Sequence, residues 1–148
     1  MNVFIFSFNF NPVSVKAAEQ RITQINNELN TQKVIQKHCD SYRLCRKVIE
    51  DCKSAKNPNA YRTKHQAEYQ LHDSLKKELQ NLGVTKIPSS DKIKKRIENL
   101  ESEQTASVRE KQGLQEKQKL LNTIQQNFNV LLDAPEMQPP LSEKENTL

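Results

Sequence analysis

The sequence has no tryptophan, only two glycines and few aromatic residues, which make up 5% of its 148 residues. Hydrophobic residues reach 34%, which is too little for a large globular core. No glycine-rich loop is present to cradle a phosphate group, so nucleotide-binding proteins of that kind are excluded. Gln, Lys, Glu, Leu and Asn are abundant instead. This balance is typical of one domain made of long, solvated helices that share narrow apolar faces.

Cysteine is also scarce, and the sequence lacks the features of a secretion signal. The three cysteines, Cys39, Cys45 and Cys52, lie six and seven residues apart, unlike the short-spaced pairs of zinc sites. An odd number of cysteines indicates reduced thiols and a cytoplasmic protein. No apolar run approaches the roughly 20 residues that span a bilayer, so no membrane contact is expected.

Apolar residues recur at spacings of three and four in three stretches, which predicts helices at about 16–53, 58–82 and 90–132. Asn57 and Pro58 are typical of a helix start, and Gly83 of a helix end. Because short connections favour antiparallel neighbours, we predict an all-α fold, an elongated three-helix coiled-coil hairpin or bundle that runs up-down-up. In the alternative arrangement, the second helix folds back as a cap while the first and third pair directly. The polar centre of the third helix is expected to pack least well.

The two ends of the chain differ from this helical part. Phe4, Phe6, Phe8 and Phe10 alternate with other residues in a period-2 pattern that is typical of a strand, yet no partner strand is evident. We interpret residues 1–15 as a poorly ordered leader and residues 16–132 as the helical coiled-coil domain. Residues 133–148 contain three prolines and a charged end, which predicts a disordered tail.

The positive charge is concentrated in residues 41–65, which we call the basic bend. This segment carries seven basic and two acidic side chains, a balance of +5 that equals the net charge of the whole chain. A local excess of this kind can bind nucleic acid by displacing counterions from phosphates. The alternative is an ordinary solvated basic face, because no regular interleaving of aromatic or glycine residues accompanies the charges. The candidate nucleic-acid-binding residues are Arg43, Arg46, Lys47, Lys53, Lys56, Arg62 and Lys64.

Three polar residues, His65, Glu68 and His72, follow the same 4-3 spacing as the leucines after them in the second predicted helix. They are suitable metal ligands, but three- and four-residue separations are ordinary helix spacing and no further ligand set is evident. We therefore predict a structural polar layer that fixes helix register, with no metal and no cofactor.

The run from Tyr61 to Pro88 (YRTKHQAEYQLHDSLKKELQNLGVTKIP) carries a resemblance to a known family. Its pattern of Tyr, His, Glu and His, followed by Leu82-Gly83 and then Lys86-Ile87-Pro88, resembles the C-terminal helical region of relaxases. Relaxases are the mobilisation nucleases of conjugative plasmids and integrative elements, and the resemblance is to the branch found in Gram-positive bacteria. It extends from about residue 17 to about residue 133. It implies a truncated relaxase C-terminal region without the catalytic domain.

Relaxases nick DNA with a tyrosine, assisted by a metal ion in a histidine cluster. This chain has only three histidines, none in that closely spaced arrangement, so we predict no catalytic residues and no enzyme activity. The resemblance implies a non-catalytic accessory or interaction module of DNA mobilisation. Its expected partners are relaxosome or coupling proteins, DNA through phosphate contacts, and further copies of the chain through coiled-coil seams. The alternatives are a generic coiled-coil scaffold or oligomerisation element and, less favoured, a metal-dependent enzyme built on the polar layer.

Overall fold

The computed structural model describes residues 13–134, which form four α-helices and one 3-10 turn. The all-α prediction is confirmed, and the described residues contain no strand. The helices are α1 (Val13–Asp51), α2 (Pro58–Lys64), α3 (Gln66–Asn81) and α4 (Ser90–Asp133), and the 3-10 turn is Cys52–Ser54. The phenylalanine alternation before residue 13 and the proline-rich tail after residue 134 lie outside the described residues.

The second predicted helix is interrupted at His65, so the prediction of a single helix over 58–82 is wrong. His65 has φ −107° and ψ 26°, far from helical values, and it ends α2 and caps α3. The break leaves the local hydrogen bonds in place: the His65 amide donates to the Tyr61 carbonyl at 3.0 Å, and the Tyr69 amide donates to the His65 carbonyl at 3.3 Å. His65 therefore takes part in the hydrogen-bonded turns on both sides of the break.

Helix α1 packs against both α3 and α4, and both of these run antiparallel to it. Along α1, His38 meets Glu78 of α3, whereas Tyr42 meets the earlier residue His72. The same reversal holds for α4, where Asn26 and Glu19 of α1 pair with residues 104 and 111. Helices α3 and α4 consequently run in one direction, one after the other, along α1. The up-down-up order is wrong, because the chain does not reverse between α3 and α4.

The connection between α3 and α4 explains this course. The amide of Val84 donates to the Leu79 carbonyl at 2.9 Å, and that of Gly83 donates to the Gln80 carbonyl at 3.0 Å. With φ +80° at Gly83, this is the Schellman ending of a helix, which glycine adopts without steric cost. Arg43 of α1 then donates a hydrogen bond to the Pro88 carbonyl, which holds the connection against α1.

The core lies where α1 meets the end of α3 and the beginning of α4. Leu79 and Leu100 are each 1% exposed, and Cys39 is fully buried. The buried cluster consists of Ile25, Leu29, Ile35, Cys39, Leu79, Ile93, Ile97 and Leu100, with Tyr42, Val84 and Ile87 packed against it. Most of these residues belong to the predicted apolar faces, but the two residues from the α3–α4 connection and Cys39 do not.

The last part of α4 is the least covered part of that helix, so the expectation that its centre packs least well is wrong. Ser107, near the centre, is buried, and Gln104 donates a hydrogen bond to Asn26 at 2.6 Å. In contrast, Phe128 and Leu132, which the spacing places on the packed face, are 47% and 68% exposed. The physical reason is length: within the described residues α1 begins at Val13 and offers no surface opposite the end of α4.

Candidate nucleic-acid interface

The basic bend is built by three short elements between α1 and α3. The 3-10 turn ends when the Ala55 amide donates to the Cys52 carbonyl at 3.2 Å. The chain then becomes extended, and Asn57 caps α2 by accepting a hydrogen bond from the Ala60 amide at 3.2 Å. Pro58 occupies the first turn of α2, where its missing N–H costs nothing. The Asn-Pro start predicted from the sequence thus fixes one side of the bend.

Two of the seven candidate basic residues are engaged within the protein. Arg43 bonds to Asp40 Oδ1 at 3.0 Å as well as to the Pro88 carbonyl. The Arg46 Nε atom donates to Glu50 Oε1 at 2.9 Å, one turn further along α1. Arg43 in particular holds the α3–α4 connection. It is therefore a structural residue in this conformation, which the sequence pattern did not indicate.

The other five candidate residues are exposed and form no salt bridge within residues 13–134. They are distributed over the end of α1, the turn and α2: Lys47, Lys53, Lys56, Arg62 and Lys64. Because only Glu50 and Asp51 oppose them in this segment, and Glu50 is already paired, the bend has an excess of positive charge that solvent and ligands can reach. Such an arrangement attracts phosphates.

An aromatic residue that the sequence pattern did not identify lies beside these charges. The Arg62 guanidinium lies over the Tyr69 ring, 5.1 Å from the ring centroid. Both residues line an open groove of about 540 Å³ on one side of α2 and α3. The remaining lining residues are polar: Asn59, Thr63, Gln66, Gln70 and Asp73. Tyr69 lies seven residues beyond Arg62, and only the shared face of α2 and α3 brings the two together.

The predicted polar layer is divided into two separate contacts. His65 Nδ1 lies 3.2 Å from Glu68 Oε1, and the His65 ring packs against Tyr61 with centroids 4.3 Å apart. His72 does not contact Glu68. Its ring stacks on Tyr42 of α1, with centroids 4.6 Å apart, and its Nδ1 lies 3.3 Å from Asp73 Oδ1. The three residues therefore share a helix face but do not form one hydrogen-bonded layer.

The hydrogen bond from His65 is the main reason why the pKa of Glu68 is lowered, and a backbone hydrogen bond adds to the effect. Glu68 also faces α1, since its charge contributes, after burial, to the raised pKa of the Cys45 thiol. It likewise contributes to the raised pKa of Tyr61, behind burial and the neighbouring Asp51 and Cys52. Glu68 is therefore ionised at neutral pH and links the start of α3 to the bend.

We expect replacement of Glu68 by Gln to lower the melting temperature at neutral pH. The hydrogen bond between His65 and the charged Glu68 carboxylate is then replaced by a weaker one to a neutral amide. A carboxylate whose pKa is lowered by folding stabilises the protein above its unfolded pKa, and this contribution is lost as the pH falls through the folded value. The difference between wild type and variant should therefore shrink below pH 4.5, the ordinary value for this group. Circular dichroism melts between pH 3 and 7 measure it.

Glu98→Gln is the matched control, since Glu98 is exposed and forms no salt bridge within the described part of the chain. Its melting temperature should follow that of wild type at every pH. Equal behaviour of the Glu68 and Glu98 variants would show that the contact with His65 adds nothing to stability.

Among residues 13–134, no group of three or more His, Cys, Asp or Glu side chains is arranged to hold a metal ion. No helix in this range is both long and apolar enough to cross a membrane. Comparison of the chain with protein-family models, with curated proteins and with solved structures found no match in any of the three. The site must therefore be interpreted from its own residues.

Proposed function

We propose that this chain is a non-catalytic accessory or interaction module of relaxase-type DNA mobilisation, and that it contacts DNA through the basic bend. The observation that carries the DNA contact is the set of five exposed basic residues without salt bridges, at the junction of α1 and α2. The assignment to mobilisation is supported by the resemblance of the Tyr61–Pro88 run to the relaxase C-terminal helical region.

The chemistry of the bend favours contact with the DNA backbone. Four of the five residues are lysines, which bind phosphate as point charges and carry no base preference of their own. Arg62 and Tyr69 add a planar cation and an aromatic ring at the adjacent groove, which suits the unstacked bases of single-stranded DNA. We therefore expect both duplex and single-stranded DNA to bind, with little sequence preference.

The protein partners belong to the same proposal. We propose that the antiparallel helices act as a coiled-coil hairpin that presents its outer surfaces to relaxosome or coupling proteins in the cytoplasm. The large apolar residues exposed on these surfaces include Val34 and Leu44 on α1 and Leu71 on α3. Apolar side chains displayed on long helices are suitable contacts for a partner helix.

Binding of a fluorescein-labelled DNA duplex should weaken with salt, with a log-log slope of about −3 to −5 if three to five phosphates are contacted. Replacement of Lys47, Lys53 and Lys56 by Gln should make the slope shallower by about 2 to 3, since each lost phosphate contact removes about 0.9. None of the three is buried or paired, so helicity should be unchanged. Fluorescence anisotropy between 20 and 200 mM salt measures the slope.

Replacement of Lys92, Lys94 and Lys95 by Gln is the matched control. It removes the same charge from exposed positions near the start of α4, which packs against α1 and not against the 3-10 turn or α2. If both triple variants lose the same amount of binding, net charge and not the bend attracts DNA. If wild type binds neither duplex nor single-stranded DNA at the lowest salt, the DNA role fails.

A second candidate function, a coiled-coil scaffold or oligomerisation element without a nucleic-acid role, is favoured by the exposed Leu44, which is 69% accessible. In that case Leu44→Ser should reduce self-association, measured by sedimentation velocity. The lysine variants should leave self-association unchanged. The two functions therefore predict opposite outcomes for the two sets of substitutions.

A further inference from the structure

The last part of α4 carries an exposed apolar surface with no charge. We call the exposed residues Leu120, Ile124, Phe128 and Leu131 the apolar stripe, because their 4-4-3 spacing places them on one side of the helix. Their exposed fractions are 62%, 44%, 47% and 75%. No charged side chain occurs between Lys119 and Asp133. A contiguous exposed apolar surface of this kind marks a site of interaction.

The pairing of α1 with α4 shows which part of the chain lies next to this stripe. Glu19 pairs with Lys111 at 3.0 Å, and Asn26 accepts a hydrogen bond from Gln104 at 2.6 Å. In both pairs the residue numbers total 130, which lies between the totals of 124 for Glu28–Arg96 and 134 for Lys33–Glu101. The same register places Val13, the first described residue, opposite position 117. The segment attached to Val13, residues 1–12, therefore starts next to the beginning of the stripe.

The segment that this register brings to the stripe has matching chemistry. Residues 1–12 (MNVFIFSFNFNP) contain no charged side chain and four of the five phenylalanines of the chain. Their length is also sufficient. Twelve residues span about 18 Å as a helix and about 40 Å when extended, whereas the stretch from Leu120 to Leu131 is about 17 Å long. Measured from position 117, opposite Val13, Leu131 lies about 21 Å away, so the segment reaches the far end of the stripe when extended and ends within one turn of it as a helix.

We propose that residues 1–12 bind along the apolar stripe and cover it. A segment attached directly to α1 has an effective local concentration in the millimolar range, far above that of a second copy in dilute solution. Cover by the chain's own N-terminal segment is thus favoured over self-association through the same surface. This interaction is independent of the proposed DNA contact, because the stripe and the basic bend lie near opposite ends of α1.

Hydrogen exchange measured by mass spectrometry on the full chain tests the proposal. In wild type, the amides of residues 120–132 should exchange slowly. Replacement of Phe4, Phe6 and Phe8 by Ser should speed their exchange about tenfold or more, because the stripe is uncovered and the helix end frays. The amides of residues 93–100, which belong to the core, should be unchanged and show that the variant is folded. Replacement of Asn2, Asn9 and Asn11 by Ser is the matched control and should leave exchange at wild-type rates.

A second variant tests the contact from its other side. Replacement of Ile124 and Phe128 by Ser lies outside the core and should make residues 1–12 more susceptible to chymotrypsin about tenfold. Sedimentation velocity at several concentrations completes the test, and wild type should be a monomer with concentration-independent exchange. The proposal is overturned if the phenylalanine variant leaves residues 120–132 unchanged. It is equally overturned if protection of the stripe depends on concentration, since a second copy then covers it.

Discussion

Replacement of Leu79 by Ala should lower the free energy of unfolding by about 2–5 kcal/mol, the range observed for truncation of a fully buried leucine. Leu79 is 1% exposed and lies in the cluster where α3, α4 and α1 meet. The substitution removes three carbons that contact α1 and α4 and leaves a cavity there. Few single changes in this chain should be as damaging.

Urea unfolding followed by circular dichroism measures this effect. Leu71→Ala is the matched control, since it is the same substitution on the same helix at a position that is 47% exposed. Its effect should lie within about 0.5 kcal/mol, as for most surface substitutions. If the two variants unfold at the same urea concentration, the packing of α3 on α1 described here is incorrect.

The apolar faces of the long helices could be predicted from the sequence because their spacing is regular. Ile25, Leu29 and Ile35 of α1 and Ile97 and Leu100 of α4 all follow the three- and four-residue pattern, and all are buried. Periodicity reports which side of a helix is apolar, but not which helix covers it. The exposed end of α4 follows the same pattern as its buried beginning. The difference arises because the described part of α1 begins at Val13 and does not extend beside the end of α4.

The course of the chain between helices could not be predicted in the same way. No glycine or proline near His65 indicates that the helix is interrupted there, and the 4-3 spacing continues through the interruption without change. Gly83 correctly predicted a helix end, but a Schellman ending does not determine the direction of the next helix. Here that direction is fixed by long-range contacts, from Arg43 to the Pro88 carbonyl and from Val84 to the core.

The sum of charges in residues 41–65 predicts the candidate interface, and the structure shows what that sum omits. Arg43 and Arg46 are part of the charge excess, yet both bond to groups of the protein. Tyr69 has no charge and lies outside residues 41–65, yet it contacts Arg62. A sum over a segment identifies a region of positive potential. Only the positions of the side chains show which charges are available to a ligand.

Cys52 should react with a thiol reagent such as dithionitrobenzoate at least about a hundredfold faster than Cys39 and Cys45. Cys39 and Cys45 are 0% and 4% exposed, and burial is the main cause of the raised pKa of each thiol. Reaction requires that the reagent reaches the sulfur atom and that the thiol is deprotonated. These two thiols can therefore react only when the helices open. An opening free energy of about 3 kcal/mol is enough for a hundredfold delay. Cys52, at the bend, is partly exposed and should react first.

Stopped-flow absorbance should therefore show one fast equivalent of reacted thiol followed by two slow ones, and a single rapid phase of three in concentrated urea. Cys52→Ser should remove the fast phase and leave the slow phases unchanged, because Cys52 lies outside the buried cluster that covers Cys39. Leu79→Ala should accelerate the slow reaction of Cys39, since both side chains belong to the same buried cluster and a weaker cluster opens more often. Rapid reaction of two or three thiols in native wild type would show that α1 is not covered by α3 and α4 as the structure describes.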